Sequence, residues 1–144
     1  PYSQLMVSSL ALVSEPKRGL ILGHGGGSFA KWLAQYWPDL ELDVVEFDPV
    51  VVRIAEEFFS YRAPPQHHVY VRDARAYLNG TRQMYDVIWV DAFARHMVPF
   101  HLTTAEFFSE LRAHLTVDGV LVVNLASSGD SGDLLRANAV VQTM

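Results

Sequence analysis

Short apolar runs alternate along the chain with segments that carry apolar residues at helical spacing. The apolar runs have few polar interruptions, which is typical of strands buried on both faces of a sheet. The intervening 3.6-residue periodicity predicts helices with one apolar face. The predicted strands are 19–22, 42–46, 68–71, 85–91 and 120–125. The predicted helices are 2–13, 28–37, 49–60, 74–78 and 104–115, and residues 133–144 could begin another.

Local signals mark the ends of several of these elements. Asp48-Pro49 combines a favoured N-cap with a first-turn proline, and Asp73 is placed to cap the short helix after the third strand. Residues 103–106 (TTAE) resemble a capping box for the last helix. Asn79-Gly80 and Asp118-Gly119 predict turns, the second just before the fifth strand.

Strands that alternate with helices of this length predict βαβ units and an α/β fold. Right-handed crossovers then favour a doubly wound, mostly parallel sheet with helices on both faces. In such sheets ligands bind beyond the carboxyl ends of the strands. We therefore expect the functional residues directly after the predicted strands.

Composition narrows the function classes further. The chain has 144 residues, enough for one domain with a real core, and its 50% hydrophobic content excludes a disordered chain. A net charge of −5 gives no support to nucleic-acid binding. There is no cysteine, no apolar run near the roughly 20 residues of a membrane span, and no signal-peptide pattern at the start. We expect a cytoplasmic protein that binds neither nucleic acid nor membrane.

A cluster of glycines follows the first predicted strand. Residues 23–27 (GHGGG), called the glycine loop below, contain Gly23, Gly25, Gly26 and Gly27. Glycine permits tight turns and close approach of a ligand to backbone N–H groups. Ser28 breaks the dinucleotide fingerprint, but Glu46 ends the second strand 19 residues after Gly27. That spacing suits an acid that accepts hydrogen bonds from ribose hydroxyls, so the glycine loop and Glu46 together indicate a nucleoside ligand. They do not distinguish NAD from S-adenosyl compounds.

Two further acids follow strands. Asp73 could accept the exocyclic amine of adenine, or serve only as a helix N-cap. Asp91 follows a strongly apolar strand, where partial burial would raise its pKa and make it a better base, although it could simply cap a loop.

The histidines give a weaker signal. His67 and His68 are adjacent on a predicted strand, so they point to opposite faces and cannot share a metal ion. His96 and His101 follow Asp91 and could line a pocket. We predict no metal site.

The order of these motifs resembles the spermidine synthase family, over nearly the whole chain from about Tyr2 to Leu125. The segments that carry the resemblance are 22–28 (LGHGGGS), 43–49 (DVVEFDP), 85–91 (YDVIWVD) and 118–124 (DGVLVVN). Each segment by itself also occurs in class I methyltransferases, which share the fold. The resemblance implies a Rossmann-like sheet of methyltransferase type with strand order 3-2-1-4-5.

The resemblance also implies an activity. Enzymes of this family transfer the aminopropyl group of decarboxylated S-adenosylmethionine to an amine, typically putrescine, and release methylthioadenosine. By analogy the glycine loop would pass beneath the nucleoside, Glu46 would hold the ribose, and Asp73 with Ala74 would contact the adenine. Asp91 would take a proton from the attacking amine. No prosthetic group is implied, because the S-adenosyl compound is a co-substrate.

The sequence departs from the family pattern at two positions. Gly26 replaces an acid of the family's loop, and Ala94 replaces a second acid after the fourth strand. Both acids would favour cationic substrate groups, so the amine acceptor is left open. Two alternatives remain: a methyltransferase that uses S-adenosylmethionine itself, and a nucleoside-binding module without catalysis.

The length also differs from that of the family. Its members carry an N-terminal β-rich domain and further strands after the fifth, and neither is present in residues 1–144. We therefore expect a single nucleoside-binding α/β domain that is a fragment of a longer protein. The fifth strand would lie at an edge of the sheet, where another chain could pair with it, so a homo-oligomer is possible.

Overall fold

The structure is a computed structural model that describes residues 6–92 and 99–124. Its strands are β1 (Arg18–Leu22), β2 (Glu41–Glu46), β3 (His67–Val71), β4 (Tyr85–Val90) and β5 (Leu115–Val123). Its α-helices are α1 (Ser28–Tyr36), α2 (Pro49–Phe58), α3 (Ala74–Gly80) and α4 (Ala105–Ala113). Two 3-10 helices cover Ser9–Leu12 and Phe100–Leu102.

The five strands form one sheet, all parallel, in the order β3-β2-β1-β4-β5. This order and the alternation of strands with helices confirm the predicted α/β fold. The central strand β1 aligns Leu22 with Val45 of β2 on one side and with Val90 of β4 on the other. The carboxyl ends of β1, β2 and β4 therefore lie at one edge, together with the residues that follow them.

The sheet separates two apolar clusters, as expected for strands buried on both faces. Ile21 packs into the cluster that contains Leu33 and Trp89, while its neighbours Leu20 and Leu22 pack into the other. Because successive strand side chains point to opposite faces, a continuous apolar run supplies both clusters. Full burial of one such aliphatic side chain contributes about 1.5–3 kcal/mol, so β1 is a principal contributor to the core.

The first described residues lie against β4. Residues 6–12 are helical, the last four as a 3-10 helix, within the predicted helix 2–13. The indole Nε1 of Trp89 donates to the Met6 carbonyl and to Ser9 Oγ, both at 3.1 Å. These bonds satisfy a buried donor and hold the segment on the sheet.

Two predicted turns were wrong. Asn79-Gly80 is not a turn but the end of α3. Asp118-Gly119 lies inside β5, where the pairing passes from Tyr85–Leu115 to Val87–Val120. Because β5 advances five positions while β4 advances two, the turn signal marks an irregularity within one strand.

The last helix begins one residue later than the capping-box pattern predicts. Its N-cap is Thr104, whose Oγ1 accepts from the Phe107 N–H at 3.3 Å. Thr103 instead donates its hydroxyl to the Phe100 carbonyl at 2.8 Å. Both threonines suit a cap, and the 3-10 helix before them determines which one occupies the position.

No helix in residues 6–92 and 99–124 has the length and apolar character needed to cross a membrane. Predictions for Ala94 and His96, and for the segment 125–144, lie outside the described residues.

Candidate functional site

A cavity of about 790 Å³ opens at the carboxyl edge of the sheet. Its walls come from the segments that follow β1, β2, β3 and β4, and from Pro99, His101 and Leu102. Seven of the eight predicted site residues line it: Gly23, Gly25, Gly26, Glu46, Asp73, Ala74 and Asp91. The eighth, Gly27, is the N-cap of α1.

The glycine loop is held tightly against the ends of neighbouring strands. The Gly23 N–H donates to the Val45 carbonyl at 2.8 Å, and Gly23 has a φ of +104°. A Cβ at this position would lie 2.4 Å from the Asp91 carbonyl oxygen. Gly27 has a φ of +71°, and a Cβ there would lie 2.9 Å from the Tyr61 ring. Glycine is therefore required at both positions by conformation and by space.

Gly26 stands at the position where the resemblance predicts an acid. A Cβ at Gly26 would lie 3.2 Å from two ring atoms of Phe59, which follows α2. The ring of Phe59 thus occupies the space into which a side chain at position 26 would begin to extend.

Glu46 joins the glycine loop to the start of α2. Its Oε2 accepts from the His24 N–H at 2.9 Å, and its Oε1 accepts from the Asp48 N–H at 3.0 Å. A carboxylate offers about four acceptor positions, so further positions remain after these two bonds. The two backbone donors fix the carboxylate at the cavity wall, where it can accept from a pair of neighbouring hydroxyls.

Asp73 both caps α3 and faces the cavity. Its Oδ1 accepts from the Ala76 N–H at 3.0 Å, which confirms the predicted N-cap, and its Oδ2 contacts His101 Nε2 at 3.0 Å. Burial opposes ionisation of the carboxyl, but the bonds from Ala76 and His101 outweigh it and lower the pKa of Asp73. Asp73 is therefore an ionised acceptor beside Ala74, which also lines the cavity.

Asp91 follows β4 and is positioned from two sides. Its N–H donates to the Leu22 carbonyl at 2.8 Å, and its Oδ1 accepts from Asn124 Nδ2 at 2.8 Å. The Asn124 N–H in turn donates to the Val90 carbonyl at 2.9 Å. Asn124 was not predicted as a site residue, because the predicted strand 120–125 includes it, whereas the observed strand ends at Val123. The raised pKa expected for Asp91 stays a prediction.

His24 is a second site residue that the sequence analysis did not single out. Its side chain is buried, its ring lies edge-on to that of Tyr61 with centroids 4.7 Å apart, and burial lowers its pKa. Its Nε2 has no hydrogen-bond partner in the described part of the chain. A neutral imidazole therefore supports the glycine loop from inside the protein.

The other histidines mostly follow expectation. His67 is buried and His68 is exposed, as their adjacent places on β3 predict, and His101 lines the cavity. Within the described ranges no three metal-ligating side chains come together. His96 lies outside those ranges.

This fold is that of a class of proteins, the methyltransferase-like α/β domains. Human methyltransferase-like protein 13, solved in complex with SAH, matches 99% of the chain over 70% of its own, with a TM-score of 0.87 and 24% identity. Spermidine synthase from Thermotoga maritima also matches 99% of the chain, over 50% of its own, with a TM-score of 0.82 and 21% identity. At these identities the likeness establishes the fold.

Sequence comparison identifies the family. The spermine/spermidine synthase domain matches residues 2–128, and the chain belongs to this family. It is 40% identical to the polyamine aminopropyltransferase of Vibrio vulnificus over 131 residues, 89% of the chain. It is 36% identical to a probable polyamine aminopropyl transferase of Bifidobacterium longum over 90% of the chain. The resemblance inferred from the motifs is thereby confirmed.

The chain spans only part of these relatives. It covers 44% of the Vibrio protein and 28% of the Bifidobacterium protein. A more distant relative, the N-terminal histidine N-methyltransferase of Emericella nidulans, is 35% identical over 74% of the chain and 19% of its own length.

Proposed function

We propose that this chain forms the nucleoside-binding and proton-accepting part of an aminopropyltransferase. The observation that carries the proposal is the convergence of the glycine loop, Glu46, Asp73 and Asp91 on one cavity. Membership of the spermine/spermidine synthase family supports it. The ligand is decarboxylated S-adenosylmethionine before transfer and methylthioadenosine after it.

The nucleoside half of the ligand would be held by three polar groups. Glu46 would accept hydrogen bonds from the two ribose hydroxyls with the acceptor positions that its backbone contacts leave. Asp73 would accept the exocyclic amine of adenine, with Ala74 beside the base. The glycine loop would pass beneath the ribose, where it exposes no side chain at Gly25 or Gly26.

Asp91 would serve as the base of the transfer. An amine with a pKa near 10 is protonated at neutral pH and cannot attack carbon. A carboxylate that orients the amine and takes its proton lets the nitrogen attack the aminopropyl carbon bonded to sulfur. The new C–N bond forms as the C–S bond breaks. The electron pair of the C–S bond stays on sulfur, which turns the sulfonium into the neutral thioether of methylthioadenosine. Asn124 would keep the Asp91 carboxylate in place.

The charge of the cavity is compatible with a cationic ligand despite Gly26. Four acidic residues line it, Glu46, Asp48, Asp73 and Asp91, together with one arginine, Arg72. A homo-oligomeric state and a cytoplasmic location are parts of the proposal that rest on the sequence, and the proposal names no particular acceptor amine.

Calorimetric titration tests the proposed ligand. The 144-residue chain should bind methylthioadenosine more tightly than S-adenosylhomocysteine, because an aminopropyl donor lacks the carboxylate of methionine. Glu46→Ala should weaken methylthioadenosine binding by about 10- to 100-fold through loss of a charged acceptor. Glu57→Ala is the matched control, an acid exposed on α2 outside the cavity.

Two outcomes would contradict the proposal. A Kd for methylthioadenosine above about 1 mM, which corresponds to a binding free energy of about −4 kcal/mol, would contradict the nucleoside site. A preference for S-adenosylhomocysteine would favour the methyltransferase alternative, in line with the Emericella relative and the missing acid at Gly26.

A further inference from the structure

His101, which follows β4 in the chain, contacts Asp73 at the wall of the cavity. His101 Nε2 lies 3.0 Å from Asp73 Oδ2, and both residues line the cavity. The two residues come from different βα segments, 28 positions apart. The contact therefore joins the two cavity walls that follow β3 and β4.

Both partners are anchored independently of their contact. Asp73 is fixed as the N-cap of α3 through the Ala76 N–H. His101 lies in the 3-10 helix, where the Leu102 N–H donates to the Pro99 carbonyl at 2.8 Å and the Leu102 side chain is buried in the core. The imidazole is half-exposed, yet the turn that carries it is held in place.

The chemistry of the pair fixes the direction of the hydrogen bond. The lowered pKa of Asp73 keeps it ionised at neutral pH, so it only accepts hydrogen bonds. Nε2 of His101 must then carry the proton and donate to Oδ2 in both the neutral and the charged imidazole. Each carboxylate oxygen has two acceptor positions, so Oδ2 keeps a second one for a ligand.

We propose that His101 is a positioning residue for base selection, which holds the Asp73 carboxylate ready to accept the 6-amino group of a purine nucleoside. The proposal rests on the proposed function. It assigns a role to a residue outside the set predicted from the sequence for the nucleoside. A carboxylate held in this way favours adenine, because a 6-oxo purine presents an acceptor oxygen to an acceptor.

If His101 blocked the ligand instead of positioning Asp73, its removal would have the opposite effect on binding. If His101 competed with the ligand for Oδ2, its removal would free the carboxylate and strengthen binding. If it positions Asp73, its removal loosens the side chain and weakens binding of the adenine nucleoside in particular.

Affinities of His101 variants for methylthioadenosine and methylthioinosine separate these roles. We expect His101→Ala to weaken methylthioadenosine binding by about 3- to 10-fold, a modest effect because the pair is partly exposed. Methylthioinosine binding should change less than about twofold, so the preference for adenine falls. His101→Gln, which restores a donor, should recover at least part of the loss.

Two further variants control for a merely structural effect. His114→Ala removes another histidine that contacts a neighbour, the Gln83 carbonyl at 2.9 Å, but lies outside the cavity wall and should leave both affinities unchanged. In an Asp73→Asn background, which keeps a good N-cap, His101→Ala should have little further effect because the carboxylate is absent.

The outcomes separate the inference from the function on which it rests. An unchanged or tighter affinity of His101→Ala for methylthioadenosine would overturn the positioning role, and so would an equal loss for both nucleosides. Failure of the unmodified chain to bind methylthioadenosine would instead contradict the proposed function.

Discussion

Single residues at this site are fixed by close backbone contacts and by hydrogen bonds from backbone N–H groups. Gly23 is required because a Cβ there would lie 2.4 Å from the Asp91 carbonyl oxygen, closer than a side chain permits. Glu46 is fixed by two backbone donors rather than by a cation. Hydrogen bonds to a charged group are worth about 1.5–3 kcal/mol each, and they orient the carboxylate without neutralising it.

At this scale the sharpest prediction concerns Asp91. With decarboxylated S-adenosylmethionine and a panel of diamines, Asp91→Asn should lower the rate of aminopropyl transfer by about 10²- to 10⁴-fold, the usual contribution of a general base. Its affinity for methylthioadenosine should stay within about threefold of the unmodified chain, because the asparagine keeps the shape of the side chain. Rates from product analysis and affinities from calorimetry provide the two measurements.

Asp118→Asn provides the matched control for that experiment. Asp118 is an exposed aspartate within β5, and its loss should leave the transfer rate unchanged. A transfer rate for Asp91→Asn equal to that of the control would show that Asp91 is not the base. If the unmodified chain binds methylthioadenosine but transfers no aminopropyl group, the non-catalytic module is favoured.

Between elements, a buried polar cluster connects the sheet to α3. Asp43 of β2 accepts through Oδ2 from the Tyr85 hydroxyl of β4 at 2.7 Å and from the Tyr77 hydroxyl of α3 at 3.0 Å. The two hydroxyls are 2.9 Å apart. Burial raises the pKa of both tyrosines, so they remain protonated donors. The cluster fixes α3, whose N-terminus carries Asp73.

Removal of these hydroxyls tests the cluster. Tyr77→Phe and Tyr85→Phe should each lower the free energy of unfolding by about 1–3 kcal/mol, because a buried carboxylate loses one of its donors. The double variant should lose more than the sum, since Asp43 then keeps neither hydroxyl. Urea unfolding measures both effects, and Tyr36→Phe, with an exposed side chain on α1, is the control.

Strict additivity in the double variant would show that the two tyrosines act independently. Losses no larger than that of Tyr36→Phe would show that the cluster contributes nothing to stability.

For the molecule as a whole, buried histidines couple folding to pH. His67 at the start of β3 is buried, and its Nδ1 lies 3.4 Å from the Tyr61 hydroxyl. Burial, together with the nearby His68, lowers the pKa of His67 to about 4 from its usual 6.5. The unfolded chain therefore takes up a proton first as the pH falls, and stability is lost between about pH 6.5 and pH 4.

Between pH 7.5 and pH 5 we expect His67 to account for a loss of about 2 kcal/mol in the free energy of unfolding. His67→Gln should remove this part of the pH dependence, while His68→Gln, at the exposed neighbouring position, should retain most of it, because burial is the larger cause of the lowered pKa of His67. Urea unfolding at both pH values gives the slopes. Equal slopes in the His67 variant and the unmodified chain would contradict the assignment.

Much of the fold was accessible from local patterns. Residues 19–22 are apolar throughout, and residues 85–90 carry one charged side chain, Asp86. Such runs alternating with helical periodicity predicted the parallel sheet that the structure contains. Glu46 and Asp73 were found because the carboxyl ends of parallel strands meet at one edge. Turn signals were less dependable, since Asp118-Gly119 fits a bulged strand as well as a turn once β4 is beside it.

The sequence by itself determined the order of the elements, the sheet type and the polar positions after the strands, because periodicity and strand ends depend on neighbours along the chain. Tertiary structure decided the contacts between those positions. Asn124 bonds to Asp91 across 33 residues, and His101 bonds to Asp73 across 28. Whether such side chains meet depends on strand order and on the path of each connecting segment, which no local spacing encodes.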